Sequence, residues 1–330
     1  MKHYSSFRRR TLIAGTLGLA AAMLPSFAAA ADYPSKAVTI IVPYPPGGSA
    51  DIMGRLLSVG LASQLKQAVV VKNAGGAAGN IGAQLVKNSP PDGYTLMLGN
   101  APVLAINPHL FKNTGFDPIK DFEPITPIAD VPLFLITNPS APYKSVQEFV
   151  DWAKKNPTTA NYASGSSGST TNLAMKLFMK QAGFKALEIP YKGSGPALTA
   201  LVSGEVPIMF ELMPSASGFI NGGQVKAIAV TTRARQANYP NVPTIAESGY
   251  PGFEVASWFG VLAPAGTPKP IIAHLNKAIT ATISTPEFKQ RLLSLGAVPM
   301  HGGPEEFSQT IAAELLKWES VVKGSGLTPQ

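Results

Sequence analysis

Apolar and polar positions along the chain follow two periods. Short apolar runs closed by glycine or proline predict strands at Val38–Val42, Val69–Val71, Thr95–Leu98, Leu133–Thr137 and Asn161–Ala163. Further runs predict strands at Leu187–Pro190, Ile208–Phe210, Lys226–Thr231 and Ser257–Ala263. Between them the apolar spacing becomes helical, at Ile52–Leu65, Ile81–Asn88, Val146–Asn156, Leu173–Ala182, Ala197–Ser203, Lys269–Ala281, Pro286–Leu295 and Pro304–Val322. Strand and helix alternate, which indicates an α/β fold of mainly parallel sheets flanked by helices.

Four strand-to-helix junctions share one chemistry. Val38–Tyr44 runs into Pro45-Pro-Gly-Gly-Ser-Ala-Asp51, and Val69–Asn73 into Ala74-Gly-Gly-Ala-Ala-Gly-Asn80. Asn161-Tyr-Ala runs into Ser164-Gly-Ser-Ser-Gly-Ser-Thr-Thr171, and Ile189-Pro-Tyr into Lys192-Gly-Ser-Gly-Pro-Ala197. A helix start presents free N–H groups at the positive end of the helix dipole. Glycine admits close backbone approach and serine adds a hydroxyl donor. Four such junctions predict a site for a small anion.

Length suggests two lobes. Polar, proline-bearing stretches at Ile136–Tyr143 and Gly249–Trp258 read as the places where the chain changes lobe. The expected division is residues 32–132 with 256–330 in one lobe and 133–255 in the other. Two crossings would make a hinge, with the anion loops facing a common cleft.

The first residues change the compartment. Lys2, Arg8, Arg9 and Arg10 precede the apolar stretch Thr11–Met23, and Ala28-Ala-Ala-Ala31 follows Pro25. That is the pattern of a cleaved secretory signal peptide over residues 1–31, with a twin-arginine variant open at Arg9-Arg10. The 27 basic residues of the full chain fall to 23 against 19 acidic ones once the leader is removed. The basic balance therefore gives no support to nucleic-acid binding. Cysteine is absent, so a lipid-modified N-terminus is not expected, and the apolar core must suffice without disulfides. Apolar runs after the leader are too short to insert in a membrane. A periplasmic protein is expected.

Several of these motifs together resemble the Bug-type periplasmic receptors, the substrate-binding proteins of tripartite tricarboxylate transporters. They are Pro43-Tyr-Pro-Pro-Gly-Gly-Ser-Ala-Asp51 with Arg55, Pro91-Asp-Gly-Tyr94, Ser164-Gly-Ser-Ser-Gly-Ser-Thr170 and Pro190-Tyr-Lys-Gly193. Pro240–Gly249, Trp258 and Ala263-Pro-Ala-Gly-Thr-Pro268 continue the match in order. The resemblance implies a two-lobed, flytrap-like fold with no catalysis. It further implies a small carboxylate ligand (a dicarboxylate, tricarboxylate, acidic amino acid or aromatic acid) and membrane transporter subunits as partners. Candidate ligand residues are Tyr44, Pro45, Gly47, Gly48, Ser49 and Asp51 on the first junction, and Ala77, Gly79 and Asn80 on the second. Ser166, Gly168, Ser169 and Thr170 follow on the third, Tyr191 and Gly193 on the fourth, and Glu211 beyond. Asn172, Glu211 and Pro207 stand where the family often has His, Asp and Asp, so the class of ligand is better specified than its identity.

Each candidate has a plainer reading. Asp51 suits a first helical turn without touching ligand, Ser169 suits a helix cap, and Tyr44 and Tyr191 suit half-buried packing. Enzyme signatures are weak. Gly165-Ser-Ser-Gly168 lacks the spacing of a nucleophile elbow. His109, His274 and His301 stand apart, without metal-ligand spacing. Gly75-Gly-Ala-Ala-Gly79 departs from the dinucleotide fingerprint. No cofactor or metal is expected; a sensor for a signalling partner or a secreted hydrolase of a carboxylated substrate are the alternatives.

Overall fold

The computed structural model describes residues 33–324. The signal-peptide reading therefore lies outside the described residues.

The first half of the described chain begins with β1 (Val38–Val42), α1 (Ser49–Leu65), β2 (Val69–Asn73), α2 (Asn80–Lys87) and β3 (Thr95–Asn100). A π-helical turn, Pro102–Ile106, leads through α3 (Asn107–Leu110) to the long strand β4 (Phe122–Thr137). Then come α4 (Val146–Lys155), β5 (Asn161–Ser164), α5 (Thr170–Ala182), β6 (Leu187–Pro190) and α6 (Ser194–Ser203). After β7 (Ile208–Leu212), α7 (Met213–Asn221) and β8 (Lys226–Val230), the chain returns in β9 (Ala256–Pro264). It ends in α8 (Lys269–Ser284), α9 (Pro286–Ser294), β10 (Val298–Pro299) and α10 (Pro304–Gly324).

The sheet order is β2-β1-β3-β9-β4-β7-β5-β6, with β8 and β10 pairing β4 off this path. The sheet is mixed. β1 runs parallel to β2 and β3, and β5 parallel to β6 and β7, as the βα alternation predicts. The strands joining those two sets are antiparallel: β9 to β3 and β4, and β4 to β7 and β8. β4 changes partner part-way. Phe122 to Pro132 pair with β9, and Leu133 to Thr137 pair with β7 and β8.

The sequence pattern finds only the second part of β4. The first part contains Pro124, Pro127 and Pro132, and proline cannot donate to a ladder, which argues against a strand. The chain resolves this with register shifts between Pro124 and Thr126 and between Pro127 and Ala129. Helix α7 is also absent from the pattern, since Met213-Pro-Ser-Ala-Ser-Gly218 is short, small and proline-bearing.

Of the apolar clusters beneath the sheet, two lie near the loops at the strand ends. One contains an aromatic group in which Phe178 meets Phe149, Phe184, Phe210, Tyr250 and Phe253, with ring centroids 5.1–6.4 Å apart. The other gathers Phe134, Ile136, Leu198, Leu201, Met209 and Val230 under α6 and α7. Helix α1 lies close against β1 because Gly54 faces it; a Cβ there would sit 2.8 Å from Val42 Cγ2. That contact fixes the helix start beside the carboxyl end of β1.

Candidate functional site

Three of the four glycine- and serine-rich junctions meet at one cavity of about 90 Å3. The β1–α1 loop supplies Tyr44, Pro45, Gly48 and Ser49; the β5–α5 loop supplies Ser166, Ser169 and Thr170; the β6–α6 loop supplies Gly193. Glu211, near the end of β7, completes the wall contributed by the sequence candidates. These are the carboxyl ends of parallel strands, where α/β folds place ligands.

The helix starts differ in how they are satisfied. Ser169 caps α5, its Oγ accepting from the Asn172 N–H at 3.3 Å. Helices α1 and α6 begin after Gly48 and Gly193 with no side-chain cap. Their first-turn N–H groups thus depend on water or a ligand, and each end carries a partial positive charge. Both ends line the cavity through Gly48, Ser49 and Ala50 and through Gly193, Ser194 and Gly195. The two loops touch: a Cβ on Gly193 would lie 3.5 Å from Pro45 Cγ, and one on Gly48 would lie 3.7 Å from Ser194 Oγ. Gly193 adopts φ +105°, a conformation open to glycine, and its N–H donates to the Gly165 carbonyl at 2.7 Å, joining the third and fourth junctions.

Glu211 is fully buried. Its Oε1 accepts from the Ser215 hydroxyl at 2.6 Å, the Ser194 hydroxyl at 2.9 Å and the Leu212 N–H at 3.0 Å. Its Oε2 has no protein partner, and neither does the hydroxyl of buried Thr170. Burial is the dominant influence on Glu211 and pushes its carboxyl above the ordinary value, against the lowering effect of the bonds from Ser215, Ser194 and Leu212. Among the lining residues the ionisable groups are Tyr44, Lys192 and Glu211. Tyr44 donates to Asn100 Oδ1 at 3.2 Å, and burial pushes its hydroxyl well up.

The other candidates stand behind the wall. Asp51 accepts from the Gly47 N–H and from Arg55 Nε, both at 3.0 Å. Burial pushes its carboxyl up, but the Arg55 and Gly47 bonds outweigh that and leave it below the ordinary value. Asp51 and Gly47 thus fix the shape of the first loop. Asn80 Oδ1 accepts from Asn107 Nδ2 at 2.6 Å, and Asn107 Nδ2 also reaches the Ala78 carbonyl, so the Ala77-Ala-Gly79-Asn80 turn packs on α3 outside the cavity. Gly168 donates to Asn172 Oδ1 at 3.1 Å, and Asn172 Nδ2 donates to the Tyr162 hydroxyl at 3.0 Å. Asn172 therefore latches the third loop from below. Tyr191 turns outward to Glu205 at 2.8 Å.

The cavity also contains residues that pattern reading passes over. Ser194 and Gly195 lie inside the fourth quoted junction. Thr171 is the last residue of the third. Asn100, Pro102 and Phe259 come from β3, the π turn and β9, where the sequence shows only core-like neighbours.

A family model described as "Tripartite tricarboxylate transporter family receptor" matches residues 53–327. The chain belongs to that family. Three solved structures have the same fold throughout. R. palustris Rpa4515 with adipate is 36% identical over 91% of this chain and 100% of its own, with TM-score 0.88. The periplasmic binding protein BugD is 35% identical over 90% and 100%, with TM-score 0.87. MatC (Rpa3494) from Rhodopseudomonas palustris with bound malate is 33% identical over 88% and 100%, with TM-score 0.83. Like other receptors of this type, the chain is α/β, and among the described residues no helix is long and apolar enough to cross a membrane.

Proposed function

We propose that this receptor captures a small carboxylate in the periplasm and delivers it to a tripartite tricarboxylate-type membrane transporter. The observation that carries the reading is the meeting of two uncapped helix starts, α1 and α6, at one cavity that also holds a buried, unpartnered threonine hydroxyl. Those N–H groups and the Ser166 and Thr170 hydroxyls suit a carboxylate, and charge-assisted bonds of this kind contribute about 1.5–3 kcal/mol each. The one hydroxyl–carboxyl pair described on the cavity wall, Ser194 on Glu211, meets a carboxyl that burial favours in its neutral form, which favours binding without chemistry. Adipate and malate, bound by the two homologues, make dicarboxylates the first candidates.

Capture would proceed by closure of two lobes, residues 32–132 with 256–330 against residues 133–255, about the point where β4 changes partners. A cleaved leader would place the mature N-terminus at Ala31 or Asp32.

Thermal shift and calorimetry with adipate, malate, citrate, L-glutamate and benzoate, each against its amide or alcohol analogue, test the reading. At a hundredfold excess over Kd a true ligand stabilises the fold by about 2.7 kcal/mol. Gly48→Val, which narrows backbone approach, abolishes the response. Equal stabilisation by the uncharged analogues sinks the carboxylate reading. Adding ligand also lowers the radius of gyration if the lobes close.

A further inference from the structure

We propose that Glu211 is a specificity-determining residue that holds a proton on Oε2 and donates it to an acceptor oxygen of the bound acid. The inference deepens the carboxylate reading above and rests on it.

The argument begins with the unequal oxygens of this carboxyl. Oε1 accepts three hydrogen bonds, from Ser194, Ser215 and Leu212, which fills its acceptor capacity. Oε2 has none, although Glu211 is fully buried and lines the cavity. A proton on the carboxyl must therefore sit on Oε2. The Ser215 hydroxyl donates to Oε1, so the short Ser49–Ser215 contact at 2.9 Å is made with the Ser49 proton. The resulting chain runs Ser49, Ser215, Glu211, and every donor in it points toward Oε1. It orients Oε2 rather than competing for it.

Among the described residues no cation forms an ion pair with Glu211. β7 is flanked by β4 and β5 and packs on α5, α6 and α7. The last two helices have no charged residue. β5 brings Tyr162, which is bonded to Asn172. α5 has Lys176 and Lys180 in its later turns. β4 has Glu123 and Asp130, both in its first part, away from Phe134, the residue paired with Glu211. On the cavity side stand Tyr44 and the exposed Lys192, while Asp51 on α1 is paired with Arg55. Burial accordingly dominates the titration of Glu211 and favours its neutral form. A bound anion close to Oε2 favours that form further, because like charges cannot share a dry site. A neutral carboxyl turns from a repelling group into a donor. The site then prefers a dicarboxylate or hydroxy acid, which offers an acceptor at this point, over an acidic amino acid, whose ammonium would meet an O–H.

Infrared difference spectra of the adipate complex at pH 7, wild type against Glu211→Gln, test this directly. The expected result is a protonated-carboxyl stretch in the wild-type complex that the variant lacks. Calorimetry between pH 6 and 9 adds a second readout. Wild-type affinity for adipate falls with rising pH, by up to tenfold per unit above the Glu211 pKa of the free receptor. In E211Q the amide group keeps a donor at the Oε2 position, so the pH dependence disappears. E211Q binds adipate at least tenfold more tightly than Glu211→Ala. Glutarate binds the wild type more tightly than L-glutamate. A complex without the protonated-carboxyl band, affinity that improves as pH rises, or a preference for L-glutamate that E211Q destroys overturns the proposal. If carboxylates bind without this proton signature, only the Glu211 inference fails. If no carboxylate binds, the functional reading falls as well.

Discussion

The hydroxyl oxygens of Ser49 and Ser215 lie 2.9 Å apart although 166 residues separate them along the chain. Ser49 opens α1 beside the first sheet segment, and Ser215 lies in α7, after β7. The Ser215 N–H also donates to Ser49 Oγ at 3.2 Å. Buried hydrogen bonds of this type contribute about 0.5–1.5 kcal/mol each. Ser49→Ala and Ser215→Ala are each expected to destabilise the fold. Their double mutant should lose less than the sum, with a coupling of about 1 kcal/mol in urea unfolding. Strictly additive losses would show that the pair does not interact.

Glu211 makes stability depend on pH in a definite direction. Its folded-state pKa is raised above its unfolded value, chiefly by burial. A group of this kind contributes its full stability below the unfolded carboxyl pKa and loses it as pH rises through the folded one. Glu211→Gln removes the titration. The difference in Tm between wild type and E211Q should therefore shift in favour of E211Q as pH rises from 4 to 8. A constant difference across that range would mean that Glu211 is ionised in the fold.

Two loop glycines should respond differently to a methyl group. Gly79 adopts φ +100°, and a Cβ there would lie 2.6 Å from Val103 Cγ2. Gly79→Ala is expected to cost about 1–3 kcal/mol, seen as a Tm loss of several degrees. Gly48 has φ −86° and ordinary space, with Ser194 Oγ 3.7 Å away. Gly48→Ala should leave Tm of the ligand-free protein nearly unchanged. Similar losses in both variants would contradict this account of the loops.

Glu314 joins two indoles. Its Oε2 accepts from Trp318 Nε1 at 2.9 Å and from Trp258 Nε1 at 3.3 Å, tying α10 to β9. Glu314→Ala leaves two partly buried donors without this acceptor, at an expected cost of about 1–3 kcal/mol. Unfolding monitored by tryptophan fluorescence measures the cost directly. An unchanged midpoint would show that water replaces the carboxylate.

The parts of this protein written in local chemistry are legible in its sequence. The limits of β1 and β6 follow from their apolar runs, and the serine- and glycine-rich junctions announce helix starts, two of which line the cavity without a side-chain cap. What escapes is set by tertiary pairing. The first part of β4 reads as loop because its prolines forbid a regular ladder, and only the bulges opposite β9 accommodate them. Ser215 enters the Glu211 network because α7 turns back toward α1, a placement that no local pattern encodes. Asp51, inside the first motif, and Asn172, just after the third, show the converse: both shape a loop rather than line the cavity. A motif marks the residues that build a site without separating wall from scaffold.

The division of β4 between two sets of partners bears on how the molecule comes apart. Each set of strands is incomplete without this one ribbon, and its partner β9 is not reached until Ala256. Neither half can mature early during synthesis, because the first waits for a strand near the end of the chain and the second borrows β4 from the first. Refolding should therefore be slow, as long-range pairing demands. Heat should release both halves in one calorimetric peak, with no plateau in which one is melted and the other intact.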